Sequence, residues 1–303
     1  MDKKISFKNY KSGLLIYSKN HSSIFKLKRN EIIYNFEKKG FLLFRGFKLN
    51  SKNLTKFTDK FTKIYANDAK RRKIVLNSKI IHDVDYGYSE MPLHSEASYS
   101  PSWPEIIWFF CIKPPKKSGW TTICDGEKVY SKMSVRSKKF FLSYPIKYNL
   151  KIPFGKDTEN KNYKKKLRDW FIEQVGVENC KIDMQNKYIY LQQKRYALNQ
   201  SRNLNKLAFA NHIQIYLDRD PQLQSWEIKN RKKIPMKIKK ELKKIFKKFT
   251  EKIKWQKGDL CMIDNRRYMH GRTKINKKDK FRKIYNIQSL QSNFGCGIFS
   301  RLN

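Results

Sequence analysis

The chain has 303 residues, 39% hydrophobic and 14% aromatic, which suffices for one substantial core, and no apolar run approaches membrane-spanning length. Its formal net charge is +42, a balance that suits polyanion partners, yet the lysines are spread along the whole sequence among abundant Asn and Ile. The cysteines (Cys111, Cys124, Cys180, Cys261, Cys296) are odd in number and scattered, without a Cys-x-x-Cys pair. That excludes a disulfide framework and a zinc finger, and a cytoplasmic setting is expected; the polar start, Met1-Asp-Lys-Lys, is not a signal peptide.

In chain order, the pattern predicts a short helix over 30–39 and a strand over Gly40–Phe47. Leu54, Phe57, Phe61 and Tyr65 at helical spacing predict a helix over 53–65. Residues 91–96 and 105–112 read as strands, the second closed by Pro114-Pro115. Tyr163, Leu167, Trp170 and Phe171 mark a helical face over 162–174. Strands follow at Tyr188–Leu191 and Phe209–Tyr216. Pro235 opens a long helix with the apolar stripe Ile238, Leu242, Ile245, Phe246, Phe249 and Ile253; its opposite face is nearly all lysine, which reads as a solvated face. There is no repeat or linker, so a single domain over 1–303 is expected.

The chemistry starts at His94-Ser95-Glu96. In a strand, alternation would point His94 and Glu96 to one side and Ser95 to the other. A second histidine, His270, follows 176 positions later (270 − 94) in Asp264-Asn-Arg-Arg-Tyr-Met-His270-Gly-Arg272. Two imidazoles and one carboxylate on one face of a metal leave three adjacent positions open, the arrangement of non-haem Fe(II) oxygenases.

The surrounding text comes in blocks: Gly40-Phe-Leu-Leu-Phe-Arg45-Gly46-Phe47; Met91-Pro-Leu-His94-Ser-Glu96-Ala-Ser-Tyr99 with Trp103-Pro104 and Phe109-Phe-Cys111 behind it; Ser118-Gly-Trp-Thr121-Thr122-Ile-Cys-Asp125-Gly126; and Trp255-Gln-Lys-Gly258-Asp259, leading to His270-Gly271-Arg272. In type and order they resemble the TauD/TfdA family of Fe(II)- and 2-oxoglutarate-dependent dioxygenases, across about residues 40–290. Within it they look closest to the SyrP-like and clavaminate-synthase-like branch. The resemblance implies a double-stranded β-helix (jelly roll), mainly β with helical insertions (α+β). It implies His94, Glu96 and His270 as ligands of Fe(II). The distal carboxylate of 2-oxoglutarate would fall to Arg282, with Lys283 as the alternative, and to Thr121, with Thr122 as its rival. The chain departs from the pattern at Asn286, where the family often carries a second arginine. Glu96 stands where related halogenases have a small residue, which favours oxygen transfer.

Arg272 and Asn211 are candidate substrate contacts, and Asp264 and Asn265 candidate turn residues or supports for the distal ligand; His82 and His212 lie outside the blocks and read as structural. The implied reaction hydroxylates an unactivated carbon of an amino acid, free or carrier-bound, or of a similar small acid, releasing succinate and CO2; desaturation and ring closure would use the same site. Partners would be a small-molecule substrate and an acidic carrier protein, with no membrane, and nucleic acid is not expected. Two competing readings stand beside it: a nucleic-acid-binding protein, suggested by the charge alone, and a degenerate member lacking catalysis.

Overall fold

In the computed structural model, residues 5–66, 74–75, 78–84, 87–153, 169–173, 176–183, 185, 188–203, 206–217, 226–228 and 234–294 are described. The first half contains β1 (Ile5–Tyr10), β2 (Gly13–Ser18), α1 (Arg29–Lys39), β3 (Phe41–Arg45), α2 (Leu54–Thr58), β4 (Thr62–Tyr65), β5 (Ile74–Val75), β6 (Ser78–Asp83) and β7 (Met91–His94). Next come β8 (Ile106–Lys113), β9 (Thr121–Asp125), α3 (Gly126–Lys132), α4 (Val135–Ser143) and β10 (Ile146–Pro153). The remainder supplies β11 (Cys180–Asp183), β12 (Tyr188–Arg195), β13 (Leu198–Gln200), β14 (Leu207–Phe209), β15 (Trp226–Ile228), α5 (Met236–Phe249), β16 (Glu251–Lys252), β17 (Leu260–Asp264), β18 (Tyr268–Arg272) and β19 (Lys283–Ser292).

Two sheets make the frame. The larger runs β1-β2-β3-β17-β8-β19-β6-β5 with β4 also on β19, and the smaller runs β16-β9-β18-β7. Every described pairing is antiparallel except β2 with β3. Alternation sorts the side chains into layers. Phe41, Leu43, Ile107, Phe109, Cys261 and Ile263 of the large sheet meet Ile123 and Tyr268 of the small one in one core. Their neighbours Leu42, Phe44, Trp108, Phe110 and Met262 point the other way, under Ile32 and Phe36 of α1 and Leu54 and Phe57 of α2. Behind the small sheet, Leu93, Cys124 and Met269 pack against Val129 of α3, Phe141 of α4 and the stripe Ile238, Leu242, Ile245 and Phe246 of α5. This is the jelly-roll arrangement, mainly β with helices outside it, that the sequence predicts.

A third sheet, β11-β12-β10-β15, is inserted between α4 and α5 and holds a small core of its own, Ile189, Leu191 and Phe171. The predicted helix over 162–174 belongs here. Residues 169–173 are helical, while Tyr163 and Leu167 lie outside the described residues.

Three boundaries differ from expectation. The helix predicted over 53–65 stops at Thr58, because Thr62 to Tyr65 pair with β19 as a strand. The strand predicted over 209–216 ends at Phe209, and Ile213–Tyr216 form a 3-10 turn. Helix α5 ends at Phe249; Ile253 is fully buried but lies beyond it, its N–H donating to the Thr121 carbonyl. In each case long-range pairing overrides local periodicity.

Two buried ion pairs tie the layers together. Arg45 on β3 grips Asp259 with Nε and Nη2 at 3.0 and 2.7 Å. Arg267 grips Asp125 at the end of β9 with Nε and Nη2 at 3.0 and 2.8 Å. Both are bidentate, the geometry in which arginine and carboxylate are most complementary. Gly40 caps α1 in the left-handed region, at φ +68°, where a side chain would be strained and would meet Arg267 and Tyr268.

Candidate active site

Strands β7 and β18 lie side by side with His94 directly opposite His270. The close approach depends on Gly271, where a Cβ would sit 2.5 Å from the Met91 carbonyl oxygen. Glu96 arrives differently from the sequence expectation. Strand β7 ends at His94, and Ser95 to Ser100 form a turn in which Ala97 takes a positive φ of 51°. The turn is held by Asn265: its Oδ1 accepts from the Glu96 N–H at 2.8 Å, and its Nδ2 donates to the Glu96 carbonyl at 2.9 Å. Ser95 donates to the Asn265 carbonyl and accepts from the Trp103 indole at 2.9 Å. Thus Asn265, the first residue of the turn after β17, fixes the backbone that carries the carboxylate facing both histidines.

The donor atoms converge. Glu96 Oε2 is 3.9 Å from His94 Nε2 and 3.8 Å from His270 Nε2, and the three ligand atoms all lie within 4.8 Å of one another. His94 Nδ1 is 2.9 Å from the Pro92 carbonyl oxygen, which can only accept, so Nδ1 carries the proton and Nε2 keeps its lone pair toward the cluster. Both histidines are buried, with Phe109 set edge-on to His270 at 5.2 Å. Among the described residues this is the one group of His, Cys, Asp or Glu suited to a metal ion.

A cleft of about 430 Å³ opens from these residues toward Thr121, Arg272 and Arg282, with Val84, Met91 and Phe109 as apolar walls. Thr121 stands opposite Arg272 in the β9–β18 ladder. Its Oγ1 accepts from the Trp255 indole at 2.9 Å and from Arg282 Nη2 at 3.2 Å, so its own hydroxyl proton is directed elsewhere. Arg282 is partly buried, with Nε sealed from solvent and lacking a hydrogen-bond partner among the described residues. Burial, reinforced by Arg272, pushes its guanidinium down to about 10. The alternative, Lys283, is exposed, its ammonium 5.4 Å from the Tyr285 ring centroid. Thr122, rival to Thr121, sits against Gly271.

The two other candidates hold local structure. Arg272 Nη2 donates to the carbonyls of Gly87 and Ser89, at 3.1 and 2.8 Å, fastening that loop to the cleft rim. Asn211 spends its amide on the Ala197 carbonyl and the Ile213 N–H, both at 2.9 Å, while its carbonyl accepts from Ser95 at 2.9 Å. Asn286, at the place of the absent second arginine, is buried and bonds Trp108 and Gln288.

The sequence matches the family described as "Taurine catabolism dioxygenase TauD, TfdA family" over residues 23–288. The chain belongs to this family of dioxygenases. Among solved structures it is similar to the PvcB protein from Pseudomonas aeruginosa, at 12% identity and TM-score 0.63, covering 95% of this chain and 92% of that one. A taurine dioxygenase from Burkholderia xenovorans is 14% identical with TM-score 0.60, over 94% and 89% of the two chains. AAD-2, solved in complex with Mn(II) and N-oxalylglycine, is 13% identical with TM-score 0.61, over 96% and 98%. No curated protein sequence matches significantly.

Sequence reasoning missed one neighbour of the dioxygenase site. His212, at the head of the 3-10 turn, lies with its ring 5.3 Å from His94 and 4.8 Å from Tyr99. Burial above all, then His94, pushes it down to about 3, so its imidazole is neutral. Nothing in the local sequence signals this, because the turn is brought to β7 only by the fold. Trp255, by contrast, lies inside a matching block, and its task of orienting Thr121 is visible only in three dimensions.

Proposed function

We propose that this dioxygenase uses Fe(II) and 2-oxoglutarate to hydroxylate an unactivated carbon of an amino acid, free or carrier-bound, or of a similar small acid. The observation that carries the reading is one cleft with a His-Glu-His donor cluster at one end and, at the other, a charged arginine with no carboxylate partner among the described residues. Neutral imidazoles and a carboxylate suit ferrous iron, and three ligands on one side leave room for a bidentate keto acid and for dioxygen. His94, Glu96 and His270 would hold the metal. Arg282 and the Thr121 hydroxyl would hold the far carboxylate of 2-oxoglutarate, both being donors without an anionic partner in the cleft.

When bound, the metal and keto acid supply the oxidising chemistry, converting 2-oxoglutarate and dioxygen to succinate and CO2 and replacing a substrate C–H by C–OH. The chain supplies position. Asn265 and the Ala97 turn fix Glu96, the Pro92 carbonyl fixes the His94 tautomer, and Phe109 and Met91 keep water from the reacting side. Arg272 brings a second guanidinium to the cleft beside Arg282. The free thiols Cys111, Cys124, Cys180 and Cys261 fit a reducing, cytoplasmic setting, and among the described residues no helix is long and apolar enough to cross a membrane.

The test is anaerobic titration with ferrous iron and then 2-oxoglutarate, following the visible charge-transfer band of the chelate. Wild type should develop the band and His94→Ala should lose it; succinate release against a panel of amino acids then finds the substrate. A well-folded, metal-loaded wild type with no band sinks the proposal.

A further inference from the structure

The inserted sheet has an outer face with a chemistry of its own, remote in kind from the metal cleft. In the register of β10, β11 and β12, Tyr190 lies opposite both Lys151 and Lys181, Tyr188 opposite Asp183, Gln192 opposite Asn149, and Lys194 opposite Lys147. Residues opposite one another share a face. The other face, with Ile189 and Leu191, is the buried one. The outer face therefore combines a pair of aromatic rings, four lysines and two amides. Lys151, Lys181 and Lys194 are exposed; among the described residues Asp183, Glu178 and Glu227, the last opposite Lys147, are acids bordering the face. A groove at this part of the sheet is lined by Tyr190, Lys151, Lys181, Asn149 and Gln192 of this face together with Leu150, Leu191 and Cys180 of the other.

Three features of this face point to one ligand chemistry. First, the Tyr188 and Tyr190 rings, 6.4 Å apart along one strand, offer successive flat apolar surfaces on a rigid sheet. Second, the Lys151 ammonium lies over these rings, 4.1 Å from the Tyr188 centroid and 5.7 Å from that of Tyr190, so a cation that could meet a phosphate covers the surface a stacked base would take up. Third, Lys194, opposite Lys147 in the ladder, adds another exposed cation to the same face, while Lys147 also has Glu227 of β15 opposite it. Rings for stacking, cations for phosphate and amides for base edges are what a single-stranded nucleic acid requires. Duplex offers phosphates but hides its base faces, so it satisfies only the cations.

We propose that the outer face of the β10–β11–β12 sheet binds single-stranded nucleic acid, bases stacking on Tyr188 and Tyr190 and phosphates meeting Lys151, Lys181 and Lys194. The proposal does not depend on the reading of the metal cleft. Helix α5 provides the comparison, since Lys240, Lys244 and Lys247 expose similar charge without aromatic rings.

The experiment is fluorescence anisotropy with labelled oligo(U) and oligo(dT) 12-mers and a duplex of equal length, on the full chain, across a salt series. Single strands should bind more tightly than duplex, and the stronger of the two oligomers identifies RNA or DNA as the source. Tyr188→Leu/Tyr190→Leu, which keeps the sheet apolar, should weaken binding about tenfold or more, while the double Phe variant retains it. Lys151→Ala/Lys181→Ala should lower the slope of log affinity against log salt by about one to two. Lys244→Glu/Lys247→Glu on α5 should cost less than the tyrosine pair. Circular dichroism confirms the fold of each variant. Equal binding of duplex, an unchanged Kd in the Leu pair, or an equal loss from the α5 variant would overturn the proposal in favour of diffuse attraction to a basic chain.

Discussion

Arg267 and Arg282 meet the two ends of β9, at Asp125 and at Thr121, and are treated oppositely by the fold. Arg267 meets Asp125 through two short bonds and Glu127 at 3.0 Å, and these partners raise its pKa despite burial. Arg282 has a threonine oxygen at 3.2 Å and a like-charged arginine as neighbour, and its pKa is lowered to about 10. A guanidinium with carboxylate partners secures structure. One held in a cleft without such a partner costs the empty fold stability, and an arriving anion relieves that cost.

The comparison is sharpened most by removing each arginine in turn. Arg267→Met leaves Asp125 buried without its cation and should destabilise the protein by about 3–5 kcal/mol, seen as a lower urea midpoint. Arg282→Met removes a charge without orphaning a carboxylate, so the ligand-free protein should unfold at an unchanged or higher midpoint. Equal losses in the two variants would break the comparison.

Next in size is the effect on co-substrate. Arg282→Met should weaken 2-oxoglutarate binding by about 2–5 kcal/mol, measured by titrating the charge-transfer band, while ferrous-iron affinity stays unchanged. Loss of both affinities together would mean that the substitution had disturbed the metal end.

Thr121→Val, which keeps the shape and deletes the hydroxyl, should cost about 1.5–3 kcal/mol of the same affinity. Because it also leaves the Trp255 indole without its acceptor, indole fluorescence should shift in this variant.

The smallest expected effect is of pH. Arg282 has a folded pKa below its ordinary value, so its charged form costs stability below about 10, and that cost fades as pH rises past 10. Anchoring the carboxylate follows the opposite course, full below 10 and lost above it. Affinity for 2-oxoglutarate should therefore be flat between about pH 7 and 9. A fall within that window would assign the anchor to another group.

Much of this was legible in the sequence. The blocks from Gly40 to Arg272 indicated the family, the apolar run 105–112 indicated a strand, and the stripe of α5 indicated its packed face. Charge, by contrast, was ambiguous: a total of +42 cannot say which lysines share a face. Only the β10–β12 register places Lys151 beside two tyrosines and Lys147 against Lys194.

The sequence by itself determined residue types and order: imidazole, carboxylate, imidazole, then arginine, at separations that β-strands can bring together. Tertiary structure decided which side chains actually meet. Glu96 reaches the histidines through a turn clamped by Asn265, 169 positions away, and not through the strand alternation that its spacing suggested. Arg282 rather than Lys283 enters the cleft because Lys283 pairs with Lys113 at the surface while Arg282 turns inward ahead of β19. Asn211 is consumed by its own turn, and His212 is delivered beside His94 by that turn's packing on β7. Local sequence sets what a residue can do; contacts between distant strands set what it faces, because in a sheet one residue of register reverses inside and outside.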